Sequence, residues 1–385
     1  MSAGSLPRGV DQLKFRDPAR ARDLVGALER SVAEAGRKIN VMHVCGSHEQ
    51  AMAKYGLRAV FPKNLNMIMG PGCPVCITDQ PEVDEAVALA LQGLVVATYG
   101  DMLRVPGTSK SLADAQSAGG RVEVVYSINQ AVDLARATSD PVVFFATGFE
   151  TTAVTTATVL CRDDLPPNFT VLSAHKFVPP AMNVVAEMEE STVEGFLAAG
   201  HAATITGWGI FEEFVEKYRM PVVVAGFEPL DILAGMVALV DLVRLGTPRV
   251  VNAYPRCVSK AGNLRAQEQL WRVFKMQSGH WRGIADIPAG NLELRDEYAH
   301  RDARRVYRVD RALAAGDGPS ELAKQCVCGT IMAGLETPHG CPLFGKECVP
   351  ENPVGACMVS SEGTCKIWWQ YGGRPDVAAM IGGAQ

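Results

Sequence analysis

Short apolar runs rich in β-branched residues alternate with helix-length amphipathic segments along this chain. Strands that are covered on both faces read as continuous apolar runs, so this alternation is typical of βαβ units with parallel strands. It predicts strands over 39–44, 65–69, 94–99, 122–126, 142–147, 170–173, 203–206, 222–225 and 249–252. It also predicts helices over 18–36, 81–91, 129–137, 151–160, 180–189 and 232–245.

The chain of 385 residues is longer than a single hydrophobic core usually supports, so we expect several domains. A polar Thr-Ser-Asp-Pro segment separates two series of similar build, and beyond about residue 260 the strands are expected to give out. The fold class predicted is α/β, with two Rossmann-like βαβ domains, mainly parallel sheets and a small loop-rich C-terminal domain. The predicted units are a helical lead (1–38), two α/β domains (39–139 and 140–260) and a helical, Cys-rich domain (261–385).

The composition is that of an ordinary soluble protein, with 48% hydrophobic residues, 21% charged residues and a formal net charge of -5. Basic residues are interspersed with acids, which argues against nucleic acid as a partner. The N-terminal residues lack an apolar segment of signal-peptide length, and no run reaches the roughly 18 apolar residues of a membrane span. We therefore expect a cytoplasmic protein without a membrane partner.

Eleven cysteines in a reducing compartment indicate metal ligation or redox chemistry rather than a disulfide framework. Two cysteine motifs follow the first two predicted strands: Cys45-Gly-Ser-His48, and Cys73-Pro-Val-Cys76. The second spacing suits either two thiolates on one metal or a reversible disulfide. Strand ends on neighbouring parallel strands meet at one edge of a sheet. Together these residues would form a soft-ligand cluster suited to iron, copper or zinc.

Two carboxylates follow other predicted strands, Asp101 in Tyr-Gly-Asp and Glu150 in Thr-Gly-Phe-Glu. Each precedes a segment able to start a helix, so an N-cap is one interpretation. The other is that the carboxylate fixes a histidine or guides protons near a metal. The sequence leaves both open.

Six cysteines crowd the C-terminal region within forty residues: Cys326, Cys328, Cys341, Cys348, Cys357 and Cys365. Four thiolates among Gly and Pro suit an all-cysteine zinc site or an iron-sulfur cluster. Zinc sites usually show two compact CxxC knuckles, which are absent here, so a [4Fe-4S] cluster is favoured. Two thiols then remain beside a one-electron centre and could form a disulfide that exchanges electrons with it.

Other reactive side chains are expected to be structural. Cys161 and Cys257 stand alone, and isolated cysteines are usually inert small hydrophobes. His175, His201 and His339 lie in segments that favour a structural or surface position.

The motifs CGSHE, GPGCPVC, TYGDM, TGFETT, SAHKFVPPAM and GFEPLDIL, with the six-cysteine tail, resemble the HypD family of hydrogenase maturation factors over roughly residues 40–370. That family assembles the Fe(CN)2CO group of nickel-iron hydrogenases on a complex with the small chaperone HypC, and takes cyanide from HypE. The resemblance therefore implies a scaffold and electron donor for this group, with HypC-type and HypE-type partners. Conventional small-molecule turnover is not evident from the sequence.

The resemblance assigns roles residue by residue. It implies that Cys45, Cys73 and Cys76 hold iron, and that His48 and Asp101 are nearby functional polar groups. In the tail it implies a redox pair and a [4Fe-4S] ligand set, an arrangement similar to ferredoxin:thioredoxin reductase. The pair is Cys328 and Cys357, and the cluster ligands are Cys326, Cys341, Cys348 and Cys365.

Two motifs depart from the family pattern. Members often carry a second histidine where this chain has Gln50, and the family's PGHVS is here Ala-Gly-His201-Ala-Ala. A proton role that needs two histidines in the first motif is therefore not supported.

Competing hypotheses come from other classes. A free-standing thiol-disulfide oxidoreductase of the ferredoxin:thioredoxin reductase type would use the CxxC on protein disulfides. It does not need Cys45 and His48, whereas an iron scaffold does. A zinc-stapled interaction protein is disfavoured by the surplus thiols.

Overall fold

Strands and helices alternate along most of the chain, as the sequence predicts. The computed structural model describes residues 15–314, 316 and 318–373. Its strands are β1 (Ile39–His43), β2 (Leu65–Met69), β3 (Val95–Thr98), β4 (Arg121–Val124), β5 (Val142–Gly148), β6 (Phe169–Lys176), β7 (Phe196–Ala199), β8 (Val222–Ala225), β9 (Val250–Asn252), β10 (Phe274–Trp281) and β11 (Ala285–Leu294).

Helices connect most of the strands, and short helices separated by loops occur in the C-terminal tail. The α-helices are α1 (Pro18–Ala35), α2 (Gly46–Lys54), α3 (Leu57–Val60), α4 (Pro74–Ile77), α5 (Gln80–Leu91), α6 (Leu112–Ser117), α7 (Ile128–Ala137), α8 (Glu150–Leu160), α9 (Val178–Glu187), α10 (Gly200–Thr206), α11 (Glu212–Tyr218), α12 (Pro229–Leu245), α13 (Leu264–Val273), α14 (Ala303–Val306), α15 (Glu321–Lys324), α16 (Cys328–Met332), α17 (Ala356–Val359) and α18 (Thr364–Tyr371). Short 3-10 helices span Gly100–Arg104, Trp208–Phe211, Asp296–Arg301, Arg311–Leu313 and Pro338–Gly340.

The strands form two sheets, so the α/β class with mainly parallel sheets is confirmed. The first sheet has the order β2-β1-β7-β8-β9, and all its strands are parallel. The second sheet has the order β10-β11-β6-β5-β3-β4, in which β3 to β6 are parallel and the hairpin β10-β11 is antiparallel.

The strands are not distributed as the predicted ranges 39–139 and 140–260 suggest. The earlier range supplies β1 and β2 to the first sheet and β3 and β4 to the second. The later range supplies β5 and β6 to the second sheet and β7 to β9 to the first. An alternating sequence pattern locates strands but does not show which strands pair. The sequence therefore could not show that both sheets contain strands from both ranges. The domain bounds themselves stay a prediction.

Two local predictions were wrong. The segment 203–206 was predicted as a strand but belongs to α10, and the strand β7 precedes it. The apolar run continues past Gly200 into alanines, which favour a helix, so the run alone did not show where the strand ends. The expectation that strands give out beyond residue 260 was also wrong, because β10 and β11 extend the second sheet. Much of this hairpin's first strand is polar and exposed, which weakens the strand signal.

Apolar side chains fill three layers around the two sheets. On β5, Val143 and Phe145 belong to a central layer with residues of both sheets and the tail, whereas Phe144 packs with α7, α8 and α13 outside the second sheet. Helices α1 and α12 cover the outer face of the first sheet. The cysteine tail thus lies in the central layer. Among the described residues, no helix has the length and apolarity to cross a membrane.

Truncation of a core aromatic should show how much the packing of the second sheet contributes. Phe144 is fully buried, so Phe144→Ala should lower the free energy of unfolding by about 3–5 kcal/mol through lost burial and a cavity. Tyr126 is 86% exposed, so the control Tyr126→Ala should change it by less than about 0.5 kcal/mol. Urea unfolding followed by circular dichroism measures both, and equal effects would contradict the layer assignment.

Candidate functional site

The loops after β1 and β2 are locked together by backbone contact. The strands pair in parallel, which brings Cys45 and the Gly-Pro-Gly-Cys loop to one edge of the first sheet. Gly46 N–H donates to the Gly72 carbonyl at 2.9 Å. A Cβ on Gly72 would lie 2.1 Å from the Cys45 nitrogen, so only glycine fits there. The predicted meeting of the two motifs is therefore found in their backbones.

Cys73 and Cys76 form a disulfide at the start of α4. Their Cα atoms are 5.3 Å apart and both residues are fully buried. Of the two interpretations left open for this CxxC, the structure contains the disulfide. In this oxidised form neither sulfur is a thiolate, and reduction must precede any metal binding by the pair.

The Cys45 thiol occupies a small apolar pocket beside a histidine. Its Sγ lies 4.0 Å from His201 Nδ1, and its side chain packs with Ala199, Ala202 and Phe227. Burial, with a smaller effect from the Glu362 carboxylate, raises the pKa of Cys45 to about 12. The thiol is therefore neutral near pH 7. A soft metal ion would have to displace its proton on binding.

His48 and His201 both pack against Phe227. The ring centroids of His48 and Phe227 are 4.6 Å apart, and those of His201 and Phe227 are 4.9 Å apart. His48 Nε2 donates to the Gly226 carbonyl at 3.0 Å, and its Nδ1 is buried without a partner in the described structure. Burial lowers the pKa of His48 to about 3, so this imidazole is neutral. His201, which the sequence favoured as structural, lies beside the thiol.

A buried carboxylate joins the first motif to the tail. Glu49 Oε2 accepts a bond from His43 Nε2 at 2.8 Å, and Oε1 accepts from Arg58 Nε at 2.8 Å and Trp368 Nε1 at 2.7 Å. Burial alone would raise the pKa of Glu49, but the charge of Arg58 and the bond from His43 outweigh it and hold that pKa well below its ordinary value. The carboxylate of Glu49, in α2, thereby connects that helix to Trp368 in α18.

Asp101 also binds the tail. Its Oδ2 accepts from the backbone N–H and the hydroxyl of Ser361, both at 3.1 Å. Next to Ser361, Glu362 accepts a bond from Ser47 Oγ at 2.8 Å. Burial, together with the charge of Asp101, raises the pKa of Glu362 despite the Ser47 bond. Asp101 is therefore not an N-cap here: it holds the loop that places a carboxylate beside the Cys45 motif.

Glu150 is the first residue of α8 and not its N-cap, which is Phe149. Glu150 Oε1 accepts from the Val178 N–H at 3.1 Å, while Oε2 is buried without a partner among the described residues. Burial raises the pKa of Glu150 to about 7. Its one hydrogen bond goes to α9, so the structure does not join it to the thiols.

The tail thiols lie side by side. Five of the six cysteines in the tail are buried, and Cys326 is half-buried. Interaction with Cys328, followed by burial, raises the pKa of Cys326, and the Cys357 side chain interacts with both Cys328 and Cys365. The thiol of Cys348 has a pKa that is raised mainly by burial. The side chains assigned to a redox pair are thus neighbours.

The CxxC disulfide packs directly on this tail. Cys76 Sγ lies 4.0 Å from the carbonyl oxygen of Ala356, the residue before Cys357. Helix α4 contacts both α16, which begins at Cys328, and α17, which contains Cys357. A short covalent and packing path therefore runs from the tail pair to the disulfide.

The donor set fits an iron-sulfur cluster in its chemistry. Thiols that share one buried region are the ligands such clusters take. A Cβ on Gly355 would lie 2.6 Å from Cys326 Sγ, so glycine leaves room at that sulfur. In the described ranges no three Cys, His, Asp or Glu side chains are arranged to hold a metal ion, neither in the tail nor around Cys45. Cluster binding would therefore move these thiols from their present contacts.

Several residues of the site escaped the sequence analysis. His43, Arg58, Trp368 and Glu362 were not singled out, and Glu49 was quoted only as part of CGSHE. The partners of Trp368 and Glu362 lie more than 300 residues away along the chain, so only the folded tail brings them together. The only sequence signal for Glu49 was the presence of an acidic residue within the cysteine motif CGSHE.

These features define a class: an α/β protein in which a buried CxxC disulfide rests on a cysteine-rich tail. Comparison with known proteins refines it. The HypD family model, described as the Hydrogenase formation hypA family, matches residues 19–372. The hydrogenase maturation factor HypD of Rhizobium leguminosarum bv. viciae is 39% identical over 371 residues, covering 93% of this chain and 94% of the relative.

Other relatives agree. The hydrogenase maturation factor HypD of Azotobacter vinelandii is 39% identical over 379 residues, covering 96% of this chain and 98% of the relative. A protein of Methanocaldococcus jannaschii named for hydrogenase expression and formation is 43% identical over 343 residues, covering 88% of this chain and 94% of the relative. The chain belongs to the HypD family of hydrogenase maturation factors.

The contribution of Arg58 to stability should depend on pH through the charge of Glu49. The folded pKa of Glu49 lies below its unfolded value, so the ionised group stabilises the fold above about pH 4.3 and this contribution is lost as pH falls through the folded pKa. Arg58→Met leaves a buried, under-compensated carboxylate and should cost about 3–5 kcal/mol at pH 7. The deficit should shrink on acidification, because protonation removes the buried charge. Urea unfolding between pH 7 and pH 4 measures it.

The matched control is Arg121→Met, which removes an exposed arginine paired with Asp140. Exposed pairs contribute little, so its stability should stay close to wild type at every pH. A deficit for Arg58→Met that stays constant with pH would contradict the electrostatic role of Arg58.

Proposed function

We propose that this chain is the scaffold and electron donor on which the Fe(CN)2CO group of [NiFe] hydrogenase is assembled. The observation that carries the proposal is the position of the Cys73–Cys76 disulfide, which is interlocked with the Cys45 loop on one side and packed on the six-cysteine tail on the other. A dithiol placed between a further thiol and a thiol-rich tail suits an iron substrate that must be both held and reduced.

Iron and its diatomic ligands are the substrate in this reaction. Once reduced, Cys73 and Cys76 offer two thiolates, and Cys45 offers a third from the neighbouring strand end. Soft thiolate donors suit low-valent iron, the form that binds cyanide and carbon monoxide. The apolar surroundings of Cys45 would keep water from the iron. His201 and Glu362 lie next to this thiol, where a proton released from Cys45 could be accepted.

Electrons would reach the disulfide by thiol exchange. A thiolate of the Cys328/Cys357 pair attacks Cys73–Cys76 and forms a mixed disulfide, which the second tail thiol resolves. The tail pair ends as a disulfide and the CxxC ends as a dithiol, so two electrons and two protons pass between the pairs. A [4Fe-4S] cluster held by Cys326, Cys341, Cys348 and Cys365 would supply single electrons from an external electron-donor protein to restore the tail pair.

The partners follow from the same assignment. A HypC-type small chaperone would bind at the first motif and contribute a further thiolate, and a HypE-type protein would donate cyanide. The names of the relatives, which are hydrogenase maturation factors, support participation in this machinery. Thiols that must cycle between forms favour the reducing cytoplasm as the location.

A thiol-disulfide oxidoreductase that acts on other proteins is the second candidate. The disulfide next to a tail dithiol favours it. However, Cys73 and Cys76 are both 0% exposed, and attack on a protein disulfide needs an accessible thiolate. An iron ion is small, so it needs a narrower access path to Cys73 and Cys76 than a protein disulfide does. Burial of Cys73 and Cys76 therefore disfavours a protein disulfide as their direct substrate.

Infrared spectroscopy of the anaerobically purified complex with the small chaperone separates the candidates. The scaffold predicts stretching bands of iron-bound cyanide and carbon monoxide on this chain. Their absence from a complex that contains iron would contradict the proposal, whereas catalytic reduction of protein disulfides would support the second candidate.

Cys45→Ala should abolish these bands and leave the cluster spectrum of the tail unchanged. The substitution removes a small side chain, so the cost in stability should be on the order of 1 kcal/mol. The control Cys257→Ser alters an exposed cysteine and should retain all bands. Retained bands together with a lower melting temperature in Cys45→Ala would show that this residue is only structural.

Cys328→Ser should keep the cluster but block reduction of the CxxC disulfide, because Cys328 is assigned to the relay. Alkylation of free thiols followed by mass spectrometry should find Cys73 and Cys76 still paired after addition of a low-potential electron donor. Cys161→Ser serves as a control remote from the tail, since its sulfur contacts Tyr298. Loss of cluster iron and sulfide from folded Cys328→Ser would instead place Cys328 among the ligands.

A further inference from the structure

The turn between β10 and β11 reaches the cysteine tail. It contains Arg282 and Gly283, and Gly283 has a positive φ of 69°. A Cβ on Gly283 would lie 2.5 Å from the Gly329 Cα, and a Cβ on Gly329 would lie 2.3 Å from the Gly283 carbonyl oxygen. The two backbones therefore touch without room for side chains. Gly329 follows Cys328 directly, so the turn has a fixed position beside that thiol.

The same turn holds the end of the CxxC helix. The Arg282 N–H donates to the Ile77 carbonyl at 3.1 Å, and its Nε donates to the Thr78 carbonyl at 2.7 Å. Ile77 is the last residue of α4 and Thr78 is its C-cap. One arginine thus contacts the helix that carries Cys76 while its backbone turn contacts the helix that carries Cys328.

One donor of this guanidinium has no partner. Arg282 Nη2 is buried and makes no hydrogen bond in the described structure. Burial lowers the pKa of Arg282, while negative charge at Cys328 and, to a smaller extent, at Asp79, Glu82 and Asp84 acts in the opposite direction. Arg282, Cys326 and Cys328 line one cavity. Arg282 as a residue is half-buried, but a buried donor nitrogen without a partner is costly unless an acceptor accompanies it.

The nearby carboxylates are engaged elsewhere. Glu82 binds Lys176 Nζ at 2.7 and 2.9 Å, and Asp84 accepts two bonds from Thr108. Asp79 caps α5 through its bond from Gln80 N–H. None of the hydrogen bonds described for these acids reaches Arg282. Nη2 therefore has no carboxylate partner among the described residues, and the cavity that Arg282 shares with Cys326 and Cys328 is the space in which it could meet an anion.

We propose that Arg282 is the cation that stabilises the negative charge of the [4Fe-4S] cluster assigned to the tail, and that it thereby raises the reduction potential of this cluster. The proposal rests on the cluster assignment made under the proposed function. Each electron added to the centre adds one negative charge, and a nearby cation with a free N–H stabilises the reduced form more than the oxidised form. Arg282 is a positioning residue, since it acts on electron transfer through the tail and does not touch the iron substrate.

The test is a redox titration of the cluster, followed by electron paramagnetic resonance, on the anaerobic full-length protein. Arg282→Gln should shift the midpoint potential to more negative values, because the reduced form loses its cation. Arg282→Lys keeps the charge and should stay near wild type. The matched control is Arg301→Gln, since Arg301 also donates to backbone carbonyls, those of Leu165, Pro166 and Phe169. It should not shift the potential.

The outcomes distinguish an electrostatic role of Arg282 from a structural one. An unchanged or more positive potential in Arg282→Gln overturns the proposal, as does an equal shift in Arg282→Lys and Arg282→Gln, which indicates a structural effect. Cluster loss in Arg282→Gln with retention in Arg282→Lys supports a requirement for the charge, and loss in both folded variants contradicts it. If the wild-type protein takes up no cluster, the proposed function fails instead, so the two failures are distinguishable.

Discussion

The fold of the site depends on one buried charge, the carboxylate of Glu49. It lies in the helix that follows Cys45, and it is held at once by Arg58 from the next helix and by Trp368 from the C-terminal tail. A carboxylate in an apolar core is tolerated only when its oxygens are bonded and its charge is balanced. The same contacts that satisfy Glu49 therefore fasten the tail to the first sheet. His43, on β1, completes the network from the strand itself.

Around this anchor, each reactive group is placed by a contact that leaves little freedom. Gly72 allows the Cys45 backbone to approach, and Asp101 holds the serine loop that brings Glu362 to the first motif. These groups come from strand ends of both sheets and from the tail. Loops that follow parallel strands of both sheets thus contact the tail in one central layer. The tail, which has little apolar core of its own, is stabilised mainly by filling that layer.

Much of this was predictable from the sequence, because buried parallel strands leave a simple apolar signature. The run Val-Val-Phe-Phe-Ala-Thr-Gly is buried at every position of β5 and was placed nearly residue for residue. The motifs at strand ends were found for the same reason. The β10-β11 hairpin was missed, since its first strand is largely polar on the exposed face. His201 was read as structural, since its position beside Cys45 depends on β7 pairing with β1 across 150 or so residues.

Each sheet contains strands from separate parts of the chain, and this affects how the protein folds during synthesis. The first sheet opens with β1 and β2, but its remaining strands follow only after the four parallel strands of the second sheet have been synthesised. Until β7 is available, β1 has an unpaired edge that can join other chains. Pairings so distant in sequence form slowly, because the intervening loop must close first. The newly synthesised β1-β2 pair therefore stays an incomplete sheet with an open edge until β7 is made, and such an edge favours aggregation during synthesis.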